Sequence, residues 1–178
     1  MESRVKVLNH PLHPLLVHIP VGLWVTSLIF DIIALASGSP PFAGASFWMM
    51  IFGAGFALLA AVPGLIDYLS LDLSPEARWL ATYHMILNLS IVGIFIADIL
   101  WRLSLFERTP TIVYFVPVGT FILSIIAVLM LAVSGWLGGQ LVYHHQVGVA
   151  VEPTSASNMR AFDRYNIGQR SETHAPQP

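Results

Sequence analysis

Four long apolar runs decide what this chain can become. They span roughly residues 14–36, 45–69, 79–103 and 111–143. Each meets or exceeds the ~20 residues a helix needs to cross hydrocarbon. Helix is the only open form that satisfies its own backbone in lipid. Charged residues make up 10% of the 178 residues and hydrophobic ones 56%, whereas a soluble domain carries about a quarter charged. So few charges cannot cover a water-facing surface, and lipid must solvate most of it. The expected fold is an all-α integral membrane domain, an up-down-up-down bundle of four transmembrane helices.

The breaks between runs carry turn chemistry. Gly38-Ser39-Pro40-Pro41 reads as a tight turn, and residues 72–76 hold Ser74-Pro75, a helix stop and restart. Residues 107–110 form the third break. The expected domain plan is a cytoplasmic N-terminal segment (1–13), the four-helix domain (14–145) and a polar cytoplasmic tail (146–178). The tail, rich in Pro, Ser, Asn and Gln, cannot bury a core and is expected to be disordered or partner-bound. The N-terminus does not read as a cleavable signal peptide, because the first apolar run is too long and three more follow.

Arg4, Lys6, Arg78, Arg160, Arg164 and Arg170 fall on one side of this topology, and Arg102 and Arg108 on the other. The positive-inside rule then puts both termini in the cytoplasm of a bacterial inner membrane. Lipid is the expected neighbour. The formal net charge of -2 argues against nucleic acid as a partner.

Chemistry is sparse. No cysteine is present, which excludes disulfides, thiolate metal sites and cysteine-ligated iron–sulfur clusters. Six of the seven histidines fall toward one end: His10 and His13 before the first run, His18 one turn inside it, His84 in the third, and His144 and His145 after the fourth. Asp67 closes the second run at the same end. Intramembrane ionisable groups are costly and mark functional sites. His10 and His144 read as solvated, and His13 as a cap for the first helix. Asp31 and Asp98 lie toward the opposite face and read as structural, with Asp98 meeting water or Arg102. Glycines Gly135, Gly138 and Gly139 sit near the histidine layer, where small residues let helices, or a flat macrocycle, approach the backbone.

The two halves suggest repeated αα hairpins. His18 precedes Asp31 much as His84 precedes Asp98, and Ala61-Val62-Pro63-Gly64 is similar to Ala132-Val133-Ser134-Gly135. In that register His18 and His84 face each other across the bundle.

Several motifs together resemble a bacterial family. They are residues 12–23, LHPLLVHIPVGL; residues 63–68, PGLIDY; His84-Met85 with Asn88; and residues 135–143, GWLGGQLVY. The family is the predicted membrane proteins called domain of unknown function 2231, and the resemblance covers about residues 12–149. Where the family reads Arg-His-Gly, this chain has His144-His145-Gln146, so His145 matches and His144 replaces Arg. The resemblance implies a link to electron transfer, since relatives are fused to Rieske or cytochrome c domains.

Three functions compete. The first is a haem b electron-transfer protein or respiratory-complex subunit, with His18 and His84 as axial ligands, His13 and His145 nearby, and Gly135, Gly138 and Gly139 making room. The second is a divalent-metal protein holding Zn, Fe or Cu on His13, His18, Asp67, His84 and His145. The third is a cofactor-free structural subunit of a larger membrane complex. None requires the chain to be an enzyme by itself. A transporter is disfavoured because no second polar layer is evident at the midplane.

Overall fold

The structure, a computed structural model, describes residues 2–108 and 115–149. The tail beyond 149 and the segment 109–114 lie outside the described residues. A short antiparallel ribbon, β1 (Lys6–Val7) with β2 (His10–Pro11), precedes four helices. These are α1 (Leu12–Ser37), α2 (Pro40–Ser70), α3 (Pro75–Arg108) and α4 (Val118–Tyr143). All four are long and apolar enough to cross a membrane. The chain is therefore an all-α, multi-pass membrane bundle.

Proline sets several boundaries, and it moves them from where hydropathy put them. α1 begins at Leu12, two residues before Pro14. Pro14 is tolerated there because first-turn N–H groups have no partner within the helix. α2 begins on Pro40 and Pro41 rather than at residue 45, since proline suits a first helical position. α3 likewise starts on Pro75 and runs past residue 103 to Arg108. α4 starts later than the apolar run, at Val118, because Pro117 disfavours helix in the residue before it. Gly38 closes α1 in the left-handed conformation at φ 66° and returns its N–H to the Ala34 carbonyl.

Packing is tightest within hairpins, α1 on α2 and α3 on α4. The seams between hairpins, α2 with α3 and α1 with α4, are thinner, and α1 and α3 stand on a diagonal. One stripe of α1 turns inward: Pro20, Trp24, Ser27, Asp31 and Ala34 are buried. On α3 the matching stripe is Ile91, Phe95, Asp98 and Arg102. Trp24, Met50, Ile91, Phe95 and Ala127 are among the residues that build the central core. Leucine, isoleucine and valine side chains fill much of the outward surface, as lipid contact requires. Exposed Trp48, Trp79, Trp101 and Tyr143 suit the interfacial belts.

Candidate cofactor site at the histidine end

His13 lies in the first turn of α1 and points at α2, not outward as a cap. Its Nδ1 is 2.8 Å from the Ala60 carbonyl. His84 of α3 does the same toward α4, with Nδ1 3.0 Å from the Ser134 carbonyl. Since a carbonyl only accepts, each Nδ1 carries the proton and each Nε2 is left with a lone pair. The two rings are neighbours across the bundle, with centroids 6.5 Å apart and planes at 87°.

Glycine makes both positions possible. A Cβ on Gly64 would come within 2.7 Å of His13 Nδ1. On Gly138 it would come within 3.1 Å of His84 Cε1. Each glycine follows the carbonyl that its histidine bonds by four residues, one turn along the same face. Asn88 completes the surroundings. Its amide donates to Ser134 Oγ and to the His84 carbonyl, both at 2.7 Å, and lies 3.2 Å from His84 Nε2.

The other expected site residues stand elsewhere. His18 is exposed on the outer face of α1, so the expected His18–His84 pair gives way to His13–His84. The reason is rotation: five residues turn a helix about 140° beyond a full circle, so His13 and His18 cannot share the inward face. The repeat register shifts with it. An offset of 71 residues relates His13 to His84, Trp24 to Phe95 and Asp31 to Arg102. In the second helices Ala60 corresponds to Ser134 and Gly64 to Gly138, not Gly64 to Gly135.

Asp67 ties down the N-terminal segment. It accepts the Ser3 hydroxyl at 2.6 Å and the Arg4 N–H at 2.7 Å. His10 turns its Nδ1 to the Leu8 carbonyl and is exposed. His144 is exposed and His145 half-buried just after α4. Gly135 has open space where a side chain would go, and Gly139 meets only Tyr143 at van der Waals distance. Among the described residues, no group of three or more His, Asp or Glu stands close enough to hold a metal ion.

A second polar layer lies at the opposite end. Arg102 donates Nη1 and Nη2 to the two oxygens of Asp31, at 3.1 and 2.6 Å, and Nε to Asp98 Oδ1 at 2.9 Å. All three residues are at most 2% exposed. Sequence reasoning placed Asp98 near Arg102 but did not join Asp31 to them. It named Gly64 and Ser134 only in the likeness between the second and fourth runs, and it passed over Ala60. The usable signal was inward spacing of three, four or seven residues: His13, Pro20, Trp24, Ser27, Asp31 on one helix and His84, Asn88, Ile91, Phe95, Asp98, Arg102 on the other.

No curated protein and no solved structure gives a significant match to this chain. One sequence family does, over residues 9–151, most of the chain and all four helices. With the opening His-Pro motif, the His84 region and the Gly-Trp-Leu-Gly-Gly motif all inside that match, the chain belongs to the predicted membrane protein family DUF2231.

Proposed function

We propose that this protein is a membrane-embedded haem b electron carrier whose iron is held by His13 and His84. The observation that carries the reading is the ring pair itself. The two imidazoles stand 6.5 Å apart, centre to centre, across the bundle, and each would offer its Nε2 to the iron. Both Nδ1 atoms are engaged by backbone carbonyls, the outer-shell bond that fixes the tautomer of a metal-bound histidine. Asn88 does not need His84 Nε2, because its amide has two closer acceptors.

Two imidazoles are too few for a bare divalent ion, which takes four ligands in a closed site and three in an open one. They are the right number for a macrocycle that brings its own four nitrogens. The thin seams between hairpins, α2 with α3 and α1 with α4, are where the edges of a flat ring would lie. The bound iron would supply one-electron chemistry. The protein's part is to hold both imidazoles neutral, keep water away with apolar helices, and set the depth in the bilayer.

We place both termini and the histidine end on the cytoplasmic side of a bacterial inner membrane, by the Lys and Arg bias, and a Rieske or cytochrome c type protein as the redox partner. Reporter fusions after Gly38 test the orientation, with a periplasmic signal expected. The cofactor test is a reduced-minus-oxidised spectrum of the full chain purified after expression with ample haem. A sharp b-type band is expected, lost in His13→Ala and His84→Ala and retained in His18→Ala. A colourless protein, or a band indifferent to His13→Ala, overturns the reading.

A further inference from the structure

The buried cluster at the other end does not balance its charge. Two carboxylates face one guanidinium. Among the described residues, no other titratable side chain hydrogen bonds or pairs with the three. From α4 the cluster receives the Ser124 hydroxyl. Thr120, one turn away, spends its hydroxyl on the Pro117 carbonyl. α2 offers no charge at this level, only Ser46. Fully ionised, the cluster would hold one uncompensated negative charge in a helix bundle that lipid surrounds, which is among the costliest arrangements available.

The hydrogen bonds say where compensation fits. Asp31 has both oxygens on Arg102, and Asp98 Oδ1 has Arg102 Nε. Only Asp98 Oδ2 faces no cation. Its partner is Ser124 Oγ at 2.9 Å, and a hydroxyl can donate to a carboxylate or accept from a carboxylic acid. A second observation points the same way. Ser46 is fully buried, and its hydroxyl has no hydrogen-bond partner in the structure. It lies one turn from Met50, on the α2 face that meets Trp24, and helix counting sets it level with Ser27 and Asp31. A spare buried hydroxyl at the level of a cluster with one negative charge in excess fits a site that exchanges a proton.

We infer that the Asp31–Asp98–Arg102 cluster is a proton-binding site, with the proton held on Asp98 Oδ2 and hydrogen bonded to Ser124. The proton comes from water, the O–H bond forms on Asp98, and the cluster becomes neutral. The site is independent of the histidine pair and of whether haem binds there.

Infrared spectroscopy of the full chain in lipid nanodiscs at neutral pH tests this. The wild type should show the C=O band of a buried carboxylic acid, exchange-shifted in deuterated water. Asp98→Asn, the neutral isostere of the protonated side chain, should fold, keep its melting temperature within a few degrees, and lose the band. Asp31→Asn should also lose it, because Asp98 and Arg102 then balance as ions. Ser124→Ala should keep the band at a higher frequency, having lost its hydrogen bond. No such band in the wild type, a band that survives Asp98→Asn, or a frequency unmoved by Ser124→Ala overturns the proposal. A wild type without the band whose melting temperature climbs with sodium overturns it in favour of a bound metal cation.

Discussion

Trp24 of α1 and Phe95 of α3 lie face to face, their ring centres 4.4 Å apart and their planes 10° from parallel. They hold the same position in their hairpins. Each stands eleven residues after its histidine, and seven before the residue that enters the buried ion pair. The stack thus divides the bundle into a histidine end and an arginine end. Trp24 also donates Nε1 toward the Met50 carbonyl at 3.4 Å, and its indole leaves no room for a Cβ on Gly53.

Trp24→Ala should therefore loosen the bundle at its middle. In water, such a truncation costs about 3–5 kcal/mol, transfer and cavity together. Between membrane helices the packing part dominates, so a loss of about 2 kcal/mol is expected. Gly53→Val should cost about 1–3 kcal/mol by overpacking against the same ring. Reversible unfolding in mixed micelles measures both, and a neutral Gly53→Val would contradict the close approach.

The glycine cradles should rank in order. A methyl at Gly64 meets His13 at 2.7 Å, whereas one at Gly138 meets His84 at 3.1 Å. Gly64→Ala should displace its imidazole more than Gly138→Ala does. The haem content of the purified variants should fall further for Gly64→Ala. Gly135→Ala, with open space around it, should change nothing.

Arg102→Met removes the only cation facing Asp31 and Asp98 among the described residues. Breaking a buried pair from one side typically costs about 3–5 kcal/mol. The variant should express poorly and melt well below the wild type, because Asp31 and Asp98 are left buried without a cation. Arg102→Lys should rescue incompletely, since an ammonium cannot reproduce the fork that grips Asp31 with two nitrogens while reaching Asp98 with a third. Melting curves distinguish the three proteins.

Asp67→Ala should free residues 2–7 without disturbing the spans. Its carboxylate holds Ser3 and the Arg4 backbone, and Lys6 pairs with Glu2 along the same segment. Amide exchange at the N-terminus should quicken while helix protection stays. Faster exchange throughout α2 would show that Asp67 has a wider role.

Hydropathy alone made the four spans legible, because length and apolarity are sufficient conditions for crossing lipid. That His13 and His84 stand at one end of the bundle was legible too, since axial depth follows from counting. Rotation was not. With apolar residues on every side of each helix, no polar stripe reveals which face turns inward. Depth alone favours His18 over His13, whereas α1 starts at Leu12 and buries Pro20, Trp24 and Asp31, which turns His18 outward. The same lack of contrast hid the Asp31–Arg102 pair, whose members lie 71 residues apart. Only the constant spacing of rarer residues, histidine to aromatic to charge, held the register. Gly64 and Ala60 gave no chemical signal, because one acts through a missing side chain and the other through its carbonyl.

The Asp31–Arg102 pair also says something about two hairpins being one polypeptide. Where two identical hairpins associate about a two-fold axis, a position lying on the axis meets its own copy. Aspartate would face aspartate there, or arginine arginine, and like charges would repel. Across the axis of this bundle the corresponding residues are instead opposite in sign. Joining the hairpins through the 71–74 connection removes the demand that both be the same. Histidine could stay matched with histidine, where sameness serves a symmetric ligand, while the other end diverged into acid and base. A version cut within that connection and expressed as two chains would still have to pair unlike with unlike, and the first half alone would strand the Asp31 charge, which has its cation on the other half.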